Sequence, residues 1–98
     1  MSTTIYLEKF GPIISDKRIG EEIFSQIIEI LEKENEITVD LTGILSMATF
    51  CAKQVFGKLY IELGSEKFFS SIKIKNASSD IKMIINMGIN NALEEVEE

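Results

Sequence analysis

The sequence has no histidine, a single cysteine, a single proline and no long uninterrupted apolar run. Each shortage closes off a class of function. Without histidine the commonest general base and metal ligand is missing, and one cysteine with no histidine makes a structural zinc site untenable. One thiol also rules out an internal disulfide framework and fits a reducing compartment. The six glycines form no phosphate-binding loop of either common spacing. No apolar stretch approaches the roughly 18–20 residues of a membrane span, and residues 1–10 lack the basic segment and apolar core of a secretion signal. Ten basic residues stand against sixteen acidic ones, a net charge of −6, which disfavours nucleic acid or an anionic membrane as partner. A cytoplasmic protein with no metal, no cofactor and no catalytic residues is expected.

What is present describes one ordered domain. Ninety-eight residues, 45% of them hydrophobic, are enough for a single core, and disorder would need fewer apolar residues and a larger charge imbalance. Residues 3–8 alternate as a strand, with Ile5 and Leu7 on one face and Thr4, Tyr6 and Glu8 on the other. Phe10-Gly11-Pro12 breaks it, and residues 13–17 read as a connecting loop. A helix starts near residues 18–21, with Asp16 or Gly20 as N-cap and Glu21 and Glu22 in the first turn. Ile19, Ile23, Phe24, Ile27, Ile30 and Leu31 form its inner stripe. Residues 32–36 are a polar exit.

The stretch 37–59 organises the rest. Ile37, Val39 and Leu41 alternate with Thr38 and Asp40 as a second strand, and residues 42–47 form a tight loop. A helix over 48–63 follows, with Phe50, Val55, Phe56, Leu59 and Leu63 on its buried side and Gly64 as its stop. A short segment with Phe68 and Phe69 leads to a third strand, 71–75, where Ile72 and Ile74 point one way. Ser78 caps a third helix, helped by Asp80, with Ile81, Ile84, Ile85 and Ile89 inside. The acidic tail, about 94–98, is expected to fray. Strand-helix repeated three times predicts an α/β fold. Its single small domain, residues 1–98, should hold a mixed or mostly parallel sheet of three to four strands. Every strand keeps a polar face, so the helices should lie mainly on one side and leave the other open.

Parallel strands bring their carboxyl-end loops to one edge, where open α/β sheets bind ligands. That edge would gather residues 15–18, Asp40, residues 42–49 and residues 76–79. Helix N-termini near Ala48 and Ser78 would favour an anion there, with Arg18, Asn76 and Ser78 as candidate anion-binding residues. The plainer explanation of Ser46, Thr49, Ser78 and Asp16 is helix capping. The sharper one is a phosphate on Thr49, which would add nearly two charges beside a helix N-terminus. Cys51 has no base beside it and reads as a packed thiol. Asp40 reads as a loop-orienting acceptor rather than a general base, the glutamate clusters as solvated faces, and at least one of Phe68 and Phe69 as core.

Several short motifs carry a resemblance across nearly the whole chain. They are Gly11-Pro12, Arg18-x-Gly20-Glu21-Glu22, Val39-Asp40-Leu41-x-Gly43, Phe56-Gly57-Lys58-Leu59, Glu62-Leu63-Gly64 and Asn76-Ala77-Ser78. Together they resemble the STAS domain of bacterial anti-sigma-factor antagonists, and more closely the small STAS-like domain family of unknown function. The resemblance implies a non-enzymatic regulatory module whose partner is a kinase-like, ATP-binding protein. In those antagonists the helix after this loop begins with Asp and a phosphorylatable Ser. Here Ala48 stands at the Asp position and Thr49 at the Ser position, so the hydroxyl is kept and the carboxylate is lost. The implied partner surface is the strand-turn-helix around residues 46–56, with Ser46, Met47, Thr49, Phe50 and Lys53 as candidate contacts. A small-ligand or nucleotide-binding domain using the helix N-termini is the alternative, and an enzyme of unrecognised type the third. A homodimer through the open sheet face or through Tyr60 and Ile61 is compatible with all three.

Overall fold

A computed structural model describes residues 3–97. β1 (Thr3–Tyr6) runs into a 3₁₀ turn (Leu7–Phe10), followed by β2 (Ile13–Ile14) and α1 (Lys17–Lys33). β3 (Ile37–Asp40) and β4 (Ser46–Met47) precede α2 (Thr49–Ala52), which passes through a π-helical turn (Lys53–Gly57) into α3 (Lys58–Leu63). α4 (Ser65–Ser71), β5 (Ile72–Lys75) and α5 (Ser79–Glu97) complete the chain. β1, β3 and β5 form a three-stranded parallel sheet in that order, with Ile5, Val39 and Ile74 in register and Tyr6, Asp40 and Lys75 in the next row. The expected α/β architecture with a parallel sheet is present.

Each crossover steps the same way across the sheet, which places the helices on one face. Side-chain burial agrees. Ile5, Ile37, Val39 and Ile72 are buried, whereas Tyr6 is 58% exposed and Lys73 and Lys75 face solvent. Thr38 is the exception on the open face, buried on the central strand between Thr4 and Lys73. β2 and β4 make a second, two-stranded parallel sheet. Both lie in stretches that read as loops, because two residues are too few to show an alternating pattern. They stitch the loop after β1 to the loop after β3: Leu45 N–H donates to Pro12 O at 2.8 Å and Ala48 N–H to Ile14 O at 2.8 Å.

The helices form for local reasons. Asp16 caps α1, its Oδ1 accepting from Arg18 N–H at 2.7 Å and Ile19 N–H at 3.4 Å, while Gly20, the other cap candidate, lies buried inside the helix. Ile23, Phe24 and Ile27 are buried, each contributing about 1.5–3 kcal/mol of transfer free energy. Ser78 caps α5 by accepting from Ile81 N–H at 3.2 Å, and Ile81 and Ile85 are buried. The tail does not fray at residue 94: α5 is helical through Glu97, and Glu95 pairs with Lys53. Glu98 lies outside the described residues. Ser65–Ser71 is a helix where a connecting segment and, at Ser71, the start of the third strand were expected; it buries Phe68 and leaves Phe69 64% exposed.

Residues 49–63 are one continuous helix with a corrected inner face. Val55, Phe56 and Leu59 are buried as expected, but Phe50 is 53% exposed. The π turn at Lys53–Gly57 lies between Phe50 and Leu59, so the two do not share one uniform helical stripe. Cys51 and Ala52 take the inner positions instead. The π turn lies where this helix meets α5. A Cβ on Gly57 would stand 2.7 Å from Gly88 O, and one on Gly88 would stand 2.6 Å from the Ala52 carbonyl carbon and Lys53 N. The two backbones touch, and glycine at both positions is what allows it. Gly64, at φ 84°, ends the helix.

Candidate functional site

The carboxyl ends of β1, β3 and β5 share one edge, as the parallel register requires. Its centre is occupied by the protein itself. Asp40 Oδ1 accepts from the Thr42 hydroxyl at 2.6 Å and from Thr42 N–H at 2.9 Å. The Asn76 amide donates to both Asp40 oxygens at 3.2 Å. Asn76 reaches Asp40 from a left-handed turn at φ 61°, a conformation that asparagine tolerates better than most residues. The Thr42 hydroxyl, then its amide, then Asn76 and the charge of Lys75 hold the Asp40 carboxyl below its ordinary range. Asp40 is thus a brace between the β3 and β5 loops, with both carboxylate oxygens accepting hydrogen bonds.

This brace corrects part of the expected anion site. The Asn76 amide is spent on a carboxylate and the Ser78 hydroxyl on the Ile81 amide. Arg18 is exposed at the start of α1. That start packs on the 49–63 helix: Gln54 Nε2 donates to Lys17 O at 3.0 Å and Cys51 Sγ to Asp16 O at 3.6 Å. The start of α1, which carries Arg18, therefore packs on the 49–63 helix through Asp16 and Lys17, whereas Asn76 belongs to the Asp40 brace. Cys51 is fully buried, and burial followed by the Asp16 carboxylate pushes its thiol up, opposite to what a nucleophile needs.

The Thr49 turn is built differently. Ala48 occupies the N-cap position with no side-chain acceptor to give the first-turn amides, and Thr49 is the first helical residue, half-exposed. Thr49 is not a capping residue. Ser46 is exposed on β4, Phe50 is exposed and Lys53 is half-buried one turn after Thr49. Met47 is only 4% exposed, because strand alternation turns it inward when Ser46 points out, so its side chain is not offered to a partner. Two neighbours escaped the sequence reading: Leu45 is 76% exposed and Ile13 is 57% exposed, on adjacent segments joined by the β2–β4 ladder. The signal that would expose them is the β2–β4 pairing, which leaves no pattern in the sequence.

Fold and edge together define a small two-layer α/β domain with a parallel sheet, one braced loop pair and one uncapped, apolar-flanked turn. The chain belongs to the family described as a STAS-like domain of unknown function, whose model matches residues 20–82. The match spans α1 to the first turn of α5 and includes the Thr49 turn. Gly11-Pro12 and Arg18, two features of the resemblance, lie before it. Among curated proteins and among solved structures nothing matched. Among the described residues no helix is long and apolar enough to cross a membrane.

Proposed function

We propose that this chain is a non-enzymatic regulatory module that binds a protein partner through the turn and helix start spanning residues 45–56. The carrying observation is the Thr49 turn: a half-exposed hydroxyl at an uncapped helix start, flanked by exposed Leu45, Ser46 and Phe50. Apolar side chains grouped at one exposed turn are the kind of surface that a partner covers, whereas singly scattered ones are ordinary. The partner in this reading is a kinase-like, ATP-binding protein that phosphorylates Thr49 in a cytoplasmic setting. A phosphate there would face the positive end of the helix and reach Lys53 four residues on, competing with Glu95 for its amine. That exchange switches the charge of the surface without refolding the domain.

Affinity recovery from the native host, with wild-type and Thr49→Glu baits, tests both parts. A specific protein recovered in different amounts by the two baits is the expected result. Recovery of nothing specific by either bait overturns the module, and equal recovery overturns the switch.

A further inference from the structure

Beside the Thr49 turn a groove of about 410 Å³ runs between the 49–63 helix and the end of α5. Three of the large apolar side chains left outside the core line it: Phe50, Ile61 and Val96. Three lysines, Lys17, Lys53 and Lys58, also line it, in a chain whose net charge is −6. The Lys58 amine leans towards α1, 4.5 Å from the centre of the Phe24 ring, so Lys17 and the stem of Lys58 carry the rim on that side. Among the described residues the one acidic side chain in the lining, Glu95, is already on Lys53. An apolar floor with a local cationic rim on an anionic protein calls for an apolar occupant with acidic flanks.

The walls decide its backbone. They belong to helices, whose main-chain groups are bonded within each helix, so an extended peptide would find no ladder partners and leave its own amides unpaired. A helix satisfies its own backbone and presents a stripe of side chains to such a groove. We propose that this groove receives an acidic amphipathic helix of the partner protein. The inference rests on the interaction-module reading and names the chemistry of that partner. Glu95 is then an internal competitor, occupying on Lys53 the place that a carboxylate of the incoming helix would take.

The probe is a synthetic helix of about 18 residues with a leucine stripe and glutamate flanks, compared with the same peptide carrying lysine flanks. Fluorescence anisotropy measures affinity and ¹⁵N–¹H correlation spectra of the whole chain locate binding. The acidic peptide should shift the amides of Phe50, Lys53 and Ile61, and the basic peptide should not. Lys17→Glu and Phe50→Ser should each weaken binding about tenfold, the change that about 1.4 kcal/mol produces, and Glu95→Gln should tighten it. Equal binding of both peptides, binding at other residues or no binding overturns the proposal. So does association of Phe50 and Ile61 with anionic vesicles, or a dimer formed through them, in preference to the peptide. If a host partner is recovered equally by wild-type, Phe50→Ser and Lys17→Glu baits, the groove is overturned and the module reading stands. If no bait recovers a partner, the module reading itself falls.

Discussion

The two faces of the 49–63 helix are made to opposite standards. Its inner face buries Cys51, Ala52, Val55, Phe56 and Leu59, and packs so closely that Gly57 and Gly88 have no room for a methyl group. Its outer face leaves Phe50 and Ile61 in solvent beside Lys53 and Lys58. The first face is buried in the core, and the second keeps its apolar residues only partly covered. The same division recurs between the loops at the sheet edge: Asp40, Thr42 and Asn76 satisfy one another, whereas the Thr49 helix start has no side-chain cap. Polar groups satisfied within the chain and a helix start left without a side-chain cap thus share one edge of the sheet.

The comparison is broken most easily from the inside. Phe56→Ala should cost about 3–5 kcal/mol by emptying a fully buried site, lowering Tm by roughly 4–8 °C per kcal/mol. Urea unfolding measures it, and a cost under about 1 kcal/mol would mean that the inner face is not close-packed. Gly88→Ala comes next and reverses the usual sign. In a free helix the change would gain up to about 1 kcal/mol. Here the new methyl meets backbone atoms at 2.6 Å, neither of which is a flexible side-chain end, so a net loss of about 1–3 kcal/mol is expected. A stabilised Gly88→Ala protein would show that the two helices separate easily.

The inner face was also the legible one. Ile23, Phe24, Ile27, Val55, Phe56, Leu59, Ile81 and Ile85 follow the helical period and are all buried, because a single core selects its residues by spacing. Asp16, Gly64 and Ser78 were legible because caps and stops act on their own neighbours in the chain. Phe50 is aromatic yet lies outside the buried stripe, across the π turn from Leu59. Asn76 donates its amide to Asp40, thirty-six residues away, and nothing local announces that pairing. Leu45, Ile13 and the basic rim of the groove were invisible for the same reason. Each depends on which segments the fold brings together, and the β2–β4 ladder does so with two residues on each side.

Smaller effects test the caps and braces. Asp16→Ala removes the acceptor for two first-turn amides of α1 and should cost about 1 kcal/mol, measured by urea unfolding. Asp40→Asn addresses the brace through pH. The folded carboxyl is held below its ordinary value, so its contribution is present above the unfolded pKa of about 3.9 and is lost as pH falls through the folded one. The stability difference between wild type and Asp40→Asn should therefore be flat near neutrality and shrink below about pH 4. A difference that grew with acidification would contradict the hydrogen bonds assigned to Asp40.

The smallest expected change in stability is the most informative about function. Phe50→Ser replaces a large apolar side chain on the same helix as Phe56, but one already 53% exposed. Its effect on unfolding should stay within about 0.5 kcal/mol, as for other surface substitutions, and replacing exposed apolar area with a hydroxyl should improve solubility. If Phe50→Ser instead unfolds the domain like a core mutation, the outer face is structural and its apolar residues need no partner. If stability is unchanged while recovery of a host partner is lost, Phe50 is kept for binding. That pairing of a silent stability change with a binding defect is what separates an interaction surface from a core that happens to reach solvent.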